Sequence, residues 1–480
     1  MEEVGESMLM PRFQADTYVA SQGNGRLLMV FLGWGMSPEP FISLSKPGYD
    51  VMLLWNYRPA GDDAFGRFRR MIDGYSEIVV IAWSFGVVAA SYVLDALSDL
   101  PFTRTIAVNG TPRHLDRRMG IPPAVFALTL RGLSPAAVVK FNTRMFADEK
   151  ERIWFESYPS TRGFESVQAE LNLFGELPPY NSSANRWNFA VVGGKDAIFP
   201  PANQSACWEG SGCKVTLFPE SGHYIDLQKV IDDFVVDKEL VANRFGTAME
   251  TYRESAGAQR EVARRLWESA EPFLPGRTDT VVEVGVGDGL FTELYADRLR
   301  PKELLLLDIA EVETSRFPTK SRFVRCDAET DFSQLCPDAS VDVLFSSSTL
   351  QWFNSPEVFV ARAYRALRPG GILAFSFYGE GTYREVAEIT GVSLKYPDPS
   401  GWKQVGEILL IEKETVEVPF ADATAAVRHI SRTGVNALRR NPSTAVAAGR
   451  KLIRDLPKNS DGSVSMTYVP YYLIIRKPII

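Results

Sequence analysis

Ile78-Val79-Val80-Ile81-Ala82-Trp83-Ser84-Phe85-Gly86 decides how the first half of this chain reads. A run of aliphatic residues this short and this continuous suits a strand buried on both faces. It leads directly into Ser84 and Gly86, and small or β-branched residues follow through Ala90. The pattern is G-x-S-x-G with Ala82 in place of the first glycine: a strand, a tight turn that projects a serine, and a helix packed back on the strand. Small residues belong there because helix and strand come close together at such a turn. A serine that only caps a helix has the same local sequence, so the reading depends on partners elsewhere.

A serine hydroxyl is a poor nucleophile until a base takes its proton. The chain has three histidines, His114, His223 and His429. His223 lies in Glu220-Ser221-Gly222-His223-Tyr224, just after the last strand expected in this half. The segment Gly193-Gly194-Lys195-Asp196-Ala197-Ile198-Phe199-Pro200 follows the preceding strand and offers Asp196 as the acid. The order Ser84, Asp196, His223 is that of the α/β-hydrolase fold. Asp116, in the loop after the fourth strand, is the alternative acid. An oxyanion hole needs two main-chain N–H groups. Phe85 supplies one and Trp34, in Phe31-Leu32-Gly33-Trp34-Gly35, the other.

Outward from this centre, strands are expected at Leu27–Leu32, Asp50–Trp55, Ile78–Ala82, Thr105–Val108, Phe189–Val192 and Lys214–Phe218. Between the fourth and fifth sits an insertion of helical periodicity, a lid over about residues 121–183. Within it Ser134-Pro135 reads as an N-cap with proline in the first turn, followed by the apolar Phe141, Met145 and Phe146. This domain is expected to cover residues 1–242.

A second α/β pattern follows, expected over residues 243–480. A helix near Arg260–Trp267 leads to strands at Thr280–Val284, Glu303–Leu307, Arg322–Val324, Val341–Phe345 and Ile372–Phe377, an alternation that predicts a doubly wound parallel sheet. Its first strand ends in Glu283-Val284-Gly285-Val286-Gly287-Asp288-Gly289. The glycines of such a loop let a ligand lie against the backbone at a helix N-terminus. Dinucleotide enzymes use a related loop. Here the G-x-G-x-G spacing is joined by acids at three successive strand ends: Glu283, Asp308 for ribose hydroxyls, and Asp327, next to Ala328, for an adenine amino group. That set favours S-adenosylmethionine. The expected fold class is therefore α/β throughout: an N-terminal α/β-hydrolase with a helical lid and a C-terminal Rossmann-like class I S-adenosylmethionine-dependent methyltransferase.

The first half resembles the pimeloyl-[acyl-carrier protein] methyl ester esterases of biotin synthesis, in their glycine-tryptophan-glycine form. The resemblance rests on Gly33-Trp34-Gly35, Ala82-Trp83-Ser84-Phe85-Gly86, Val108-Asn109-Gly110-Thr111, Lys195-Asp196-Ala197-Ile198-Phe199 and Gly222-His223-Tyr224. The second half resembles the malonyl-[acyl-carrier protein] O-methyltransferases, through Phe245, Ala248, Tyr252 and Gln259, the glycine loop, Cys326-Asp327-Ala328-Glu329, Leu350-Gln351-Trp352, Gly381-Thr382-Tyr383 and Arg428-His429-Ile430. Position 288 is Asp where that family often has Thr or Ser. The resemblance implies nucleophile Ser84, base His223 and acid Asp196. It also implies a bifunctional enzyme that caps the carboxylate of malonyl-acyl carrier protein with a methyl group and later removes the cap from the pimeloyl ester. Acyl carrier protein is the implied partner.

An acceptor carboxylate must be held by donors or a cation. Gln351, Trp352, Tyr383, Arg428 and His429 are candidates for that site. Basic residues, among them Lys140, Arg144, Arg152, Arg439, Arg440, Arg450, Lys451 and Arg454, are candidates for docking an acidic carrier. The formal net charge of -7 argues against nucleic acid as a partner. Four cysteines without metal-like spacing read as reduced thiols in the cytoplasm. The opening MEEVGESMLM has no apolar core, so no signal peptide is expected. The apolar stretch Ile78–Leu94 is interrupted at Ser84 and Gly86, which argues against a membrane span. Three other readings fit the same residues: a generic carboxylesterase fused to a small-molecule methyltransferase, a carrier-binding scaffold with an inactive esterase half, and an NAD-linked reductase in the second half.

Overall fold

The computed structural model describes residues 13–61, 63–180, 186–276, 278–433 and 442–479. The chain forms two units, Met1–Ile231 and Asp232–Ile480. The helix Lys238–Ser255, capped by Asp237, lies whole in the second unit and runs unbroken through residue 242.

The first unit is built on β1 (Phe13–Ala20), β2 (Arg26–Phe31), β3 (Asp50–Pro59), β4 (Glu77–Trp83), β5 (Phe102–Val108), β6 (Phe189–Gly193) and β7 (Lys214–Phe218). They form one sheet in the order β1-β3-β2-β4-β5-β6-β7. All neighbours are parallel except β1, which runs antiparallel along β3. β4 is buried along its whole length. Each fully buried aliphatic side chain there stabilises the fold by about 1.5–3 kcal/mol. The helix Gly86–Ala96 packs back on the sheet. Its start comes so near β2 that a Cβ on Gly86 would lie 2.5 Å from the carbonyl oxygen of Phe31. Only glycine fits that approach.

Between β5 and β6 lie four helices, Pro123–Arg131, Pro135–Arg144, Glu149–Glu156 and Phe164–Glu176. Ser134 caps the second, its side chain accepting from the Ala137 amide at 3.2 Å. Phe141 packs edge-on against Trp34 with ring centroids 4.8 Å apart, joining the lid to the loop after β2. The far end of the expected lid, residues 181–183, is outside the described residues.

The second unit holds β8 (Thr280–Val284), β9 (Glu303–Asp308), β10 (Ser321–Arg325), β11 (Val341–Ser347), β12 (Leu367–Tyr378), β13 (Glu407–Lys413), β14 (Val416–Phe420), β15 (Val464–Tyr468) and β16 (Pro470–Arg476). The main sheet runs β10-β9-β8-β11-β12-β16-β13, and β14 pairs with β15 apart from it. β8 to β12 are parallel, whereas β16 is antiparallel to both β12 and β13. The order reverses between β8 and β11, and ligands of such sheets bind at the carboxyl ends of the strands at this point. β12 begins earlier than the run Ile372–Phe377. Val341 pairs with Leu367 and Val343 with Ile372, so residues 368–371 loop out of an otherwise continuous ladder. Among the described residues, no helix is long and apolar enough to cross a membrane.

Candidate functional sites

Ser84 follows β4 with φ of +61°, in the left-handed region, and its amide donates to the Val108 carbonyl at 2.9 Å. That turn holds the side chain above the sheet edge. His223 Nε2 is 2.9 Å from Ser84 Oγ, and His223 Nδ1 lies 3.1 and 3.0 Å from Asp196 Oδ1 and Oδ2. The three residues are buried. Asp196 is held in turn by the amides of Ile198 and Phe199 and by Gln204 Nε2, at 2.8, 2.9 and 2.9 Å. The His223 ring stacks on Phe199 at an interplanar angle of 4°. Asp116 faces elsewhere: it accepts from the amides of Arg118 and Met119 and pairs with Arg113.

The loop carrying Trp34 abuts the serine, since a Cβ on Gly33 would lie 3.0 Å from Ser84 Cβ. Trp34 is fixed by an indole N–H bond to the Val167 carbonyl, and Phe85 stacks on Phe174 at 4.7 Å. Both contacts come from the lid helix Phe164–Glu176. So does the fully buried Glu170, which accepts from the amides of Gly35 and Tyr57 and from Arg162 Nη1, each at 2.8 Å. Burial raises the pKa of Glu170, while Arg162 and these donors oppose the rise. Asn109 was not singled out as a functional residue by sequence. It has φ of +43° and ties three loops together. Its Nδ2 donates to the carbonyls of Gly222 and His223, and its Oδ1 accepts from the Gly193 amide. The left-handed Asn-Gly pair after a strand was the available signal. Glu170 left none, because the two amides it accepts from lie 113 and 135 residues away.

In the second unit a cavity of about 90 Å³ opens at the carboxyl ends of β8 to β11. Gly285, Gly287, Asp308, Asp327, Ala328 and Trp352 are on its wall. Gly285 has φ of +77°, and a Cβ there would lie 2.0 Å from Thr349 Oγ1. Asp308 Oδ2 accepts from the Gly287 amide at 2.9 Å and Oδ1 from Ala310 at 2.8 Å; burial raises the Asp308 pKa against these donors. Asp327 caps the helix Ala328–Leu335. Lys238 pairs with Glu329 at 2.7 Å and lies 3.6 Å from Asp327.

Glu283 and Gly289 do not line this cavity. The Glu283 carboxylate turns into the core, where Thr292 Oγ1 and Tyr295 Oη donate to it at 2.6 Å each. Burial pushes its pKa up to about 7. It braces the helix behind the glycine loop through these two bonds.

A larger cavity of about 370 Å³ adjoins, and Trp352 lines both. Gln351, Tyr378 and Tyr383 are on its wall. Tyr383 Oη is 2.7 Å from Tyr468 Oη, which is 2.6 Å from His429 Nε2. His429 is therefore one residue removed from the cavity, and burial lowers its pKa. Arg428, one of the acceptor-site candidates, is exposed and is not among the residues lining this cavity. Its neighbours Val427, Ile430 and Ser431 line the cavity instead. Of the basic residues, Arg152 is paired with Glu149 and Glu156, and Arg454 with Asp455. Arg439 and Arg440 lie outside the described residues.

Residues 15–229 match the family described as Pimeloyl-ACP methyl esterase BioG, and residues 282–375 match a methyltransferase domain family. A malonyl-[acyl-carrier protein] O-methyltransferase of Bacteroides fragilis is 32% identical over 468 residues, 94% of this chain and 92% of that protein. The chain belongs to the malonyl-[acyl-carrier protein] O-methyltransferase family. Its first half is an esterase domain similar to the BioG family, fused to the methyltransferase domain. Another malonyl-[acyl-carrier protein] O-methyltransferase, from Bacteroides thetaiotaomicron, is 31% identical over 262 residues, 50% of this chain and 99% of its own. The crystal structure of BioG from Haemophilus influenzae is 29% identical, with a TM-score of 0.38, covering 44% of this chain and 94% of that one.

The cofactor of this methyltransferase domain is S-adenosylmethionine, and the cavity residues fit it. A Cβ on Gly287 would meet nothing within 4 Å, so the loop faces open space. Asp308 and Asp327 supply the carboxylates that a nucleoside needs.

Proposed function

We propose that this chain methylates the free carboxylate of malonyl-acyl carrier protein in its second unit and hydrolyses the methyl ester of pimeloyl-acyl carrier protein in its first. The observation that carries the ester half is the hydrogen-bonded row Ser84, His223, Asp196 beneath a lid. Ser84 Oγ attacks the ester carbonyl as its proton passes to His223 Nε2. The amides of Phe85 and Trp34 receive the developing negative charge. His223 then returns the proton to the departing methoxide, releasing methanol, and activates a water that frees the acid from Ser84. Asp196 fixes the imidazole tautomer and steadies its charge.

For the methyl half, S-adenosylmethionine supplies an electrophilic methyl on a sulfonium. Asp308, Asp327 and the glycine loop hold the nucleoside. The acceptor carboxylate has a pKa of about 4 or below, so it arrives ionised and needs no base. The protein's part is alignment and exclusion of water. The join between the halves lies ahead of the helix Lys238–Ser255, which belongs to the second unit. Four unpaired cysteines accord with a cytoplasmic enzyme.

Together the two activities act as a protecting-group cycle: a methyl cap hides a charged end during chain elongation and is then removed. The test is direct. The full chain is given malonyl-carrier with S-adenosylmethionine, then methyl-pimeloyl-carrier, with the free acids and esters as controls. Turnover of carrier-bound substrates well above the free ones supports the reading. Equal turnover of free substrates points to a generic esterase and a small-molecule methyltransferase.

A further inference from the structure

The larger cavity of the second unit has an unusual wall for a site that must hold an anion. None of the described residues lining it is charged. In the neighbouring nucleotide cavity the one cation among the described lining residues, Lys238, is engaged by Glu329 and Asp327. Yet buried polar atoms without partners are grouped around the place where the two cavities share a wall. Trp352 lines both cavities, and its Nε1 is unpartnered. Ser348 lines the nucleotide side and Tyr378 the larger side, and the Oγ of one and the Oη of the other are likewise buried without a hydrogen bond. Their one side-chain contact is loose and mutual: Ser348 offers the Tyr378 hydroxyl a weak hydrogen bond that opposes the rise burial gives its pKa, and it falls short of good geometry, so the pair still has a donor to spare. Buried donors are nearly always satisfied, so a group of orphans marks the seat of a ligand acceptor.

We infer that Trp352 Nε1, Tyr378 Oη and Ser348 Oγ form a neutral donor cradle that orients the acceptor carboxylate toward the methyl donor, in place of an arginine clamp. This rests on the proposed methylation of a carrier-bound malonyl group. The chemistry explains the absence of a cation from the described wall. Methyl transfer joins a carboxylate to a sulfonium methyl, and both charges vanish as the O–C bond forms and the S–C bond breaks. The products are a neutral ester and a thioether. A cation on the carboxylate would stabilise the charged ground state more than the partly discharged transition state and so raise the barrier. Hydrogen bonds from neutral donors fix direction with a smaller penalty, and a tyrosine with a raised pKa stays a donor throughout the neutral range. Tyr383, on the same wall, is already bonded to Tyr468 and so is not one of the unpartnered donors.

The experiment uses the full chain with Tyr378→Phe and Ser348→Ala, singly and together. Three quantities are read: turnover with malonyl-carrier, inhibition by acetyl-carrier (which lacks the carboxylate), and affinity for S-adenosylhomocysteine by calorimetric titration. Loss of one hydrogen bond to a charged group lowers kcat/KM by about 10- to 100-fold. The expected result is that drop for Tyr378→Phe and a further drop in the double variant. The preference for malonyl- over acetyl-carrier should fall in step, with Tyr378→Phe leaving S-adenosylhomocysteine affinity within about twofold. A merely structural role would weaken malonyl- and acetyl-carrier binding alike. An unchanged malonyl-to-acetyl preference in Tyr378→Phe and in the double variant overturns the cradle. If the unaltered chain fails to methylate malonyl-carrier at all, the proposed function falls first.

Discussion

Replacing Asp196 by Asn keeps the shape of the acid and removes its charge. In the native arrangement Oδ1 accepts from the amides of Ile198 and Phe199, Oδ2 accepts from Gln204, and both lie within 3.1 Å of His223 Nδ1. An asparagine must leave its one oxygen on the two amides, so its NH2 turns toward Gln204 and His223. The imidazole then meets a donor at Nδ1 and carries its own proton on Nε2, the atom that should take the serine proton. A wrong tautomer of this kind lowers kcat by about 10,000-fold, or about 5 kcal/mol of transition-state stabilisation. Folding is affected far less. Gln204 Oε1 has no partner, so its amide can turn to receive the new NH2 and lose only the bond to the Phe199 carbonyl. That costs about 1 kcal/mol. Hydrolysis of a methyl ester at saturating substrate, with a thermal melt alongside, separates the two effects. Asp116→Asn is the control, with activity expected within about threefold of the native chain because its carboxylate serves its own turn and Arg113. Asp196→Asn keeping a tenth or more of native kcat would refute this reasoning, doubly so if Asp116→Asn lost activity.

Glu170→Ala strips the buried partner from Arg162 and leaves the amides of Gly35 and Tyr57 unmet; calorimetry should show the first unit destabilised by about 3–5 kcal/mol, and a change under 1 kcal/mol would mean the network is dispensable. Gly285→Ala forces a side chain into the left-handed region and onto Thr349, so titration should show S-adenosylhomocysteine affinity reduced at least tenfold while ester hydrolysis is unaffected. Glu283, with its folded pKa raised to about 7 from 4.5, binds its proton more tightly in the native state. Its contribution is therefore fully present below about pH 4.5 and is lost as pH rises through 7. Denaturant titrations from pH 5 to 8 should show this fall in the second unit, and Glu283→Gln should remove it.

The first half was legible because buried parallel strands leave uniform aliphatic runs, and all six expected there are present. β1 left no such run: Phe13–Ala20 mixes polar and apolar residues on an edge that is half exposed. In the second half the parallel strands β8 to β12 were readable, whereas β13 to β16 were not. They add antiparallel pairs through contacts that no βαβ alternation anticipates. Within the sites, spacing found residues but not directions. Glu283 precedes the glycine loop as expected, but side chains alternate along a strand, and its own faces the helix rather than the cleft. Arg428 sits beside Val427 on the helix Ala423–Arg432, yet the face toward the cavity is 427, 430 and 431, one helical stripe that leaves 428 outside. Ser348 lies in the stretch after the fourth strand that sequence places at the carboxyl edge of the sheet, but Tyr378 and Lys238 carried no motif; only the folded chain brings them to a wall.

The central claim is that one polypeptide holds two independent chemistries, one at Ser84 and one between Asp308 and Asp327. Reciprocal variants of the full chain test it in a single paired assay of carrier methylation and ester hydrolysis. Ser84→Ala should abolish hydrolysis and leave methylation at its native rate, while Asp308→Ala should do the opposite. Hydrolysis that persists without the Ser84 hydroxyl, or methylation that is indifferent to Asp308, would contradict the account.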